Sequence, residues 1–296
     1  MCYSLYLPPD GRPLLLCASD IGEMAQLREL AGVGARTPSD FAGAAIKALL
    51  AAAQHAPVAH TAGESERRLA AASVARARRG DRGTPILYHA FVASLGELLP
   101  ECRALSPAQR TALSTGLTTL FLLSQDFEST SRAEGEASPH SLGAQYDGEG
   151  SSVHAEDPPR GVPASELATL LLFLCGGSKT DKLSVAFSLA DADGDGALSQ
   201  TQLTSLLRGL LVSLAGVRSE AHMDRESGEE TSAIIALPES ASEIARGIMA
   251  SVAPVASALG SINFQELCAF YNDGGAMGAL GFLELLDWKK LKGLLA

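Results

Sequence analysis

One twelve-residue segment, 191–202, constrains this chain more than any other feature, because its acidic residues alternate with residues that permit a sharp turn. The segment is DADGDGALSQTQ, with Asp191, Asp193 and Asp195 at its first, third and fifth positions. Gly196 follows at the sixth position, and glycine tolerates backbone angles that other residues avoid. Alternate side chains of such a loop point inward, so the segment predicts three carboxylates converging on one centre.

The oxygen-rich composition of this loop is typical of a calcium site, because calcium is a hard cation that takes about six to eight oxygen ligands. Beside the three carboxylates we expect the backbone carbonyl of Ala197, Ser199 at position nine and Gln202 at position twelve. Gln202 is a neutral amide where the calcium-loop pattern has a two-oxygen glutamate, so we expect one weak site with a Kd of about 10⁻⁵–10⁻³ M. The alternative is an Asp/Gly-rich surface turn that binds nothing.

Apolar residues at helical spacing lie on both sides of the loop. They are Leu183, Ala186, Phe187 and Ala190 before it, and Leu203, Leu206, Leu207, Leu210, Leu211 and Leu214 after it. These intervals predict an amphipathic helix on each side. A helix, loop and helix in this order, here called a hand, indicates a metal site more strongly than the loop alone.

Three other segments keep the frame of this loop but not its ligands. The first is 79–90, whose only acidic side chain is an aspartate at position three. The second begins at Asp126 and ends at Glu166, after a polar insertion, 129–160, that we expect to be disordered because it has few apolar residues. The last, 255–266, has no carboxylate at positions one, three or five, so we expect no calcium there.

The hands are expected to pair, because a single hand leaves the apolar faces of its helices exposed. Short antiparallel ladders between loops would join 197–199 to 261–263 and 84–86 to 161–163. Pro163 lacks a backbone N–H, which weakens one rung of the second ladder. Loops without calcium ligands would then still have a structural role, because they contribute residues to the hydrophobic core and a strand to the ladder.

The sequence therefore predicts an all-α fold of paired hands in two lobes, 61–176 and 177–296. Glu166 and Gln202, both at position twelve, are 202 − 166 = 36 residues apart, as expected of consecutive hands. A second polar insertion, 218–240, interrupts the second lobe.

Both ends of the chain carry further elements. Residues 1–60 are an N-terminal extension, in which Tyr3–Leu7 and Leu14–Cys17 predict a β-hairpin and 41–54 a helix. This extension either packs against the rest or is lightly ordered. The C-terminal stretch, 281–296, is predicted to be an amphipathic helix. It could dock on the hands, bind a partner surface or lie on an acidic membrane. Docking is favoured, because an exposed stripe with the only Trp would promote aggregation.

Composition excludes some classes of function. A formal charge of −11 and a pI near 5.0 argue against nucleic acid as a partner, because binding nucleic acid requires clustered Lys and Arg on the protein. The helix expected at 64–79 carries five arginines and is either a basic patch for an anionic partner or, the favoured interpretation, a solvated face. Five cysteines are scattered singly and no charged leader opens the chain, so we expect a reducing, cytoplasmic location.

No catalytic motif stands out. Gly176–Thr180 resembles part of a phosphate-binding loop, but it follows a helix rather than a strand, so a glycine helix cap is favoured. The six histidines show no ligand spacing, and no Ser or Cys nucleophile is accompanied by a base. We therefore expect that the protein is not an enzyme.

From about residue 64 onward the chain resembles four-EF-hand proteins of the neuronal calcium sensor and calcineurin B type. It is also similar to the EF-hand module of some ubiquitin-specific proteases and of algal and protist proteins. The runs that carry the resemblance are LCGGSKTDKLSVAFSLADADGDGALS, INFQELCAFYNDGG and FLELLDWKKL. The resemblance assigns the ligand positions to Asp191, Asp193, Asp195, Ala197 and Gln202, and it implies a calcium-responsive module that grips a helix of a partner.

Two functions are compatible with these observations. The first is a calcium-modulated adaptor or regulatory subunit that binds a partner protein, such as an amphipathic helix of an enzyme or channel, through an apolar groove. The second is a metal-independent scaffold whose hands are structural. Response to calcium separates the two.

Overall fold

The computed structural model describes residues 2–7, 12–55, 64–135, 161–215, 237–256, 260–273 and 280–293. Helices dominate these residues, as the sequence predicts, and the strands form three two-stranded antiparallel sheets. Four helix–strand–helix units follow one another and join two by two through their strands. No helix in this part of the chain is both long enough and apolar enough to cross a membrane.

The N-terminal extension begins with the hairpin expected from the sequence. Strand β1 (Cys2–Leu7) pairs in antiparallel fashion with β2 (Arg12–Cys17). Helix α1 (Ala18–Ala31) follows directly; its apolar residues are not confined to one face, so their spacing did not predict it. Helix α2 (Pro38–His55) contains the helix predicted at 41–54.

The first two helix–strand–helix units form one pair. Their elements, in chain order, are α3 (Glu64–Arg78), β3 (Pro85–Ile86), α4 (Tyr88–Leu98), α5 (Pro107–Gly135), β4 (Val162–Pro163) and α6 (Ala164–Leu171). A 3₁₀ turn over Pro100–Ala104 joins the two units, and another over Leu172–Leu174 follows α6. The predicted ladder between the loops of these two units is present over Pro85–Ile86 and Val162–Pro163, with Ile86 opposite Val162.

The other two units form a second pair. Their elements are α7 (Lys179–Ala190), β5 (Ala197–Ser199), α8 (Gln200–Ala215), α9 (Leu237–Ala256), β6 (Ser261–Asn263) and α10 (Phe264–Asn272). The predicted ladder between residues 197–199 and 261–263 is confirmed. Its central residues, Leu198 and Ile262, face each other and are buried, so the ladder is part of the core.

The run Gly176–Thr180 is the start of helix α7. Gly177 turns the chain at a φ of 92°. The Ser178 side chain then accepts a hydrogen bond from the Asp181 N–H at 3.2 Å, while the Asp181 carboxylate accepts from the Ser178 N–H at 3.0 Å. This reciprocal capping satisfies two N–H groups that the helix leaves without partners. The run is thus a helix terminus at the position where the phosphate-loop alternative had placed a ligand site.

Helix α2 is part of the core. It contacts α3, α4, α6 and α7, and its residues Phe41, Ala45 and Leu49 are fully buried. Of the two alternatives for the N-terminal extension, residues 38–55 therefore follow the first and pack against the rest of the chain. Within the first pair, this helix packs against α3, α4 and α6.

The first polar insertion is shorter than predicted. Helix α5 continues to Gly135, so the expected disorder in 129–160 is wrong for residues 129–135. A helix that is already nucleated extends at little cost per residue, and glycine is a poor residue for continuing it. Residues 136–160 lie outside the described part of the chain.

The second insertion, 218–240, also overlaps a helix. Helix α9 begins at Leu237, so the last residues of the expected insertion are helical. Pro238 is compatible with this, because a proline in the first helical turn loses only an N–H that has no helical partner. Residues 216–236 and residues 257–259 of the fourth loop lie outside the described residues.

The C-terminal stretch is not one continuous helix, contrary to the pattern expected over 281–296. A 3₁₀ turn spans Gly281–Leu286, and a short helix α11 follows over Trp288–Gly293. Between them Asp287 is extended, with φ −81° and ψ 107°. The carbonyl of the last 3₁₀ residue accepts a hydrogen bond from Lys182 at 3.2 Å, so a side chain of α7 terminates the turn.

Candidate metal centre

The 191–202 loop joins α7 to α8 and turns twice through backbone angles that favour glycine. Gly194 has a φ of 74° and Gly196 a φ of 81°, both in the left-handed region. A Cβ atom at either position would meet nothing within 4 Å, so the backbone angle rather than lack of space requires glycine. These two turns make the chain wrap around a centre, as the sequence predicts.

The structure brings the three predicted carboxylates together. One oxygen each of Asp191, Asp193 and Asp195 lies within 4.8 Å of the others. Asp191 accepts hydrogen bonds from the N–H groups of Gly194 at 2.8 Å and Gly196 at 3.0 Å, and Asp195 accepts from the N–H two residues later at 2.8 Å. Backbone N–H groups of the loop therefore fix the orientation of two of the three carboxylates.

Gln202 also reaches the loop, but it is engaged in two other ways. Its Oε1 accepts hydrogen bonds from the N–H of Ser199 at 2.8 Å and from the Ser199 hydroxyl at 2.9 Å. Its Nε2 donates to Oδ1 of Asp193 at 3.2 Å. Gln202 thus caps α8 with its oxygen and donates a hydrogen bond to the carboxylate cluster with its amide N–H. To ligate a cation it would have to give up the second contact and present oxygen in its place.

The remaining predicted ligands lie at the end of the loop. Ala197 and Ser199 are the first and last residues of β5 and lie opposite Asn263 and Ser261. The Ser199 hydroxyl accepts from the Gln202 N–H at 3.3 Å, so in this conformation it caps the helix. Every side-chain atom that the loop offers as a metal ligand is an oxygen. This fits a hard cation such as calcium and not a soft metal that prefers thiolate.

In the other loops, the acidic side chains that the structure describes are committed elsewhere. Glu166, at position twelve of the second loop, pairs with Arg208, and both side chains are at most 9% exposed. Asp81 of the first loop accepts from Arg76 at 2.7 Å, and this hydrogen bond lowers the pKa of Asp81. Glu266 of the fourth loop accepts from the N–H of its own helix cap at 2.8 Å. Among the described residues, only the 191–202 loop gathers three acidic side chains at metal-ligand distances.

A cavity of about 210 Å³ lies beside Gln202, between the 191–202 loop and the start of α6. Its polar lining residues are Ser165, Glu166, Thr169, Thr201, Gln202 and Ser205. Gln202 is only partly buried there, so its side chain has room to rotate.

Two buried cations were missed at the level of sequence. Arg208 directly follows Leu206 and Leu207, which belong to the apolar stripe of α8. Lys182 lies four residues before Ala186 and seven before Leu189, and both of these residues are buried. A charged residue at the spacing of a buried stripe was the available signal. Burial lowers the pKa of Lys182 to about 8, with repulsion from Arg28 acting in the same direction.

Comparisons of the chain with protein-family models, with curated proteins and with solved structures find no match. Function is therefore inferred from the residues and contacts of this chain alone.

Proposed function

We propose that the protein binds one calcium ion at residues 191–202 and acts as a calcium-modulated adaptor or regulatory subunit. The observation that carries this proposal is the convergence of Asp191, Asp193 and Asp195 within 4.8 Å, in a loop flanked by two helices. Exposed acidic clusters also occur without an ion, so the flanking helices and the matched loop ladder are essential support.

The three aspartates would supply charge, and Ala197, Ser199 and Gln202 would complete the oxygen set. A bound cation would neutralise carboxylates that otherwise repel one another. Gln202 would contribute one oxygen after rotating its amide, and the loss of its contact with Asp193 opposes binding. Both effects place the site in the weak range, with a Kd of about 10⁻⁵–10⁻³ M.

The proposed link from ion to partner passes through helices α7 and α8. Helix α7 precedes the loop, α8 follows it, and the two helices contact each other. A change in the position of Gln202 acts directly on the first turn of α8, because that residue caps the helix. The partner would be a protein segment, such as an amphipathic helix of an enzyme or channel, in the cytoplasm.

A metal-independent scaffold is the second candidate. It is favoured by one specific observation: the described contacts that join the hands need no ion. The Glu166–Arg208 pair connects α6 to α8. Each strand ladder is a backbone pairing with one buried apolar pair, Ile86–Val162 in the first and Leu198–Ile262 in the second. In this alternative the apolar groove that binds the partner does not change with calcium, and the partner binds equally well when a chelator removes the ion.

Titration calorimetry with calcium tests the proposal. The wild-type chain should release or absorb heat with a midpoint in the range given above, and Asp191→Asn should abolish it. Asp273→Asn is the matched control, because it removes the same charge from an exposed residue outside the loop. Absence of calcium-dependent heat in the wild type at millimolar calcium would leave only the scaffold.

A further inference from the structure

The apolar face of the proposed calcium-binding hand is covered by a segment of the same chain. Residues 281–286 contact both α7 and α8, the helices on either side of the 191–202 loop. Four apolar residues of this segment and its N-cap are at most 2% exposed, and they are Leu280, Phe282, Leu283 and Leu286. Because four such side chains are removed from water against it, this face is a binding surface for apolar residues.

Two lysines of α7 add polar contacts to this apolar surface. Lys179 donates to Glu284 at 2.5 Å and to the Tyr271 hydroxyl at 2.6 Å, and its Nζ lies 4.1 Å from the centre of the Tyr271 ring. Lys182, which is 1% exposed, donates to the carbonyl of Leu286 at 3.2 Å. The surface therefore selects both a carboxylate within the segment and a free carbonyl at its end.

The docked segment differs in conformation from the helices around it. It is a single 3₁₀ turn, a conformation with poorer hydrogen bonds than an α-helix. Lys182, which donates to the end of this segment, is buried, and burial lowers the pKa of its ammonium group to about 8, so the docked state holds this charge at an energetic cost. A short element held at a cost to a buried charge is suited to exchange with a competing ligand.

We propose that the α7–α8 face is the docking surface for a partner peptide that imitates residues 280–286 and displaces them. The expected peptide carries apolar residues at the spacing of Leu280, Phe282, Leu283 and Leu286, with a carboxylate in the place of Glu284. This proposal rests on the adaptor role proposed above and names the chemistry of the partner. The segment of the chain acts as a tethered competitor, so it lowers the apparent affinity for any such partner.

A labelled peptide of residues 280–293, LGFLELLDWKKLKG, tests the docking surface with the full-length chain. Anisotropy should show binding about tenfold tighter to the double variant Phe282→Ala/Leu283→Ala than to the wild type, because the tethered competitor is weakened. A peptide with Phe282→Ala should bind at least about tenfold more weakly than the parent peptide. Equal binding of the peptide to wild type and double variant would overturn the proposal.

A charge exchange provides a readout that a purely structural role would not move. In the Lys179→Glu chain a peptide with Glu284→Lys should bind more tightly than the parent peptide, whereas the wild-type chain should prefer the parent peptide. The comparison is between peptides because Lys179→Glu weakens the tethered Glu284 as well as the Glu284 of the parent peptide. Because this variant leaves the apolar core of the segment in place, it remains informative if the double variant does not fold. Absence of rescue by the exchanged peptide would contradict the assignment of Lys179 as the carboxylate contact.

The calcium proposal is tested separately by running each titration with calcium and with chelator. Peptide binding with charge rescue but without calcium heat keeps the docking surface and removes the calcium modulation. Calcium heat without peptide binding keeps the metal site and overturns the docking surface.

Discussion

Arg208 on α8 donates to both carboxylate oxygens of Glu166 on α6, at 2.6 and 3.2 Å, and the pair is buried. The residue that would ligate an ion in the second loop is therefore bound to a cation supplied by the chain. The contact also joins the second hand to the helix that leaves the 191–202 loop, so movement of α8 is opposed by a buried ion pair.

Breaking this pair should be strongly destabilising. Arg208→Met leaves the Glu166 carboxylate buried without its cation, and we expect a loss of about 3–5 kcal/mol in the free energy of unfolding. The double variant Glu166→Leu/Arg208→Met should recover most of this loss, because it leaves no uncompensated charge. Urea unfolding of the three chains measures both values.

The control for this pair is the ion pair of Arg246 with Glu243, whose arginine side chain is 66% exposed. Arg246→Met should cost less than about 1 kcal/mol, because water already solvates both partners. Similar losses for Arg208→Met and Arg246→Met would show that burial does not decide the importance of the Glu166–Arg208 contact.

Replacing Gln202 with glutamate should tighten the proposed calcium site. Gln202→Glu adds one charge and a second oxygen at position twelve, and we expect affinity to increase by at least about tenfold. In chelator the same variant should be less stable, because the hydrogen bond from Nε2 to Asp193 becomes a repulsion between carboxylates. Calorimetry and thermal unfolding with and without calcium measure the two effects.

Gln200→Glu is the matched control, since Gln200 is exposed and lies two residues earlier in the same helical turn. It adds the same charge without a contact to the aspartates, so its calcium affinity should stay within about threefold of the wild type. An equal gain for both variants would mean that general charge, and not ligation by residue 202, sets the affinity.

Alanine at Gly196 should destabilise the loop through backbone strain alone. The φ of Gly196 is 81° and a Cβ there would meet no atom within 4 Å, so Gly196→Ala should cost about 1–2 kcal/mol. Gly43→Ala is the control, because Gly43 lies within α2 with equally open space and should gain about 0.5–1 kcal/mol. Chemical unfolding measures both, and a loss at Gly43 would contradict the assignment of these effects to backbone conformation.

The sequence predicted the features that depend on local spacing. The turn at Gly196 and the convergence of Asp191 with Asp193 and Asp195 follow from alternation and from residues a few positions apart. These features are set by backbone geometry that a short segment carries with it.

Features that depend on distant partners were not predictable in this way. The pairing of Glu166 with Arg208 and the contact of Lys182 with Leu286 join residues far apart in the chain. The capping role of Gln202 was local and could have been found, because Ser199 followed three residues later by Gln is a capping pattern.

The buried lysine on α7 should make stability depend on pH. The pKa of Lys182 is lowered to about 8 by burial and by repulsion from Arg28, against the attraction of Cys175 and Asp287, and its ordinary value is 10.5. Between these values the unfolded chain binds more protons than the folded chain, so the free energy of unfolding contributed by Lys182 rises with pH. Below pH 8 both states are protonated and the unfavourable contribution is constant.

The difference 10.5 − 8 = 2.5 in pKa corresponds to roughly 3 kcal/mol. Measured by urea unfolding, the stability of the wild type relative to Lys182→Met should therefore increase by up to this amount as the pH rises from 8 to 10.5. Lys47→Met, at an exposed site on α2, is the control and should give a difference that stays constant. A flat difference for Lys182→Met as well would mean that water reaches the Lys182 ammonium group and that the segment 281–286 does not seal it.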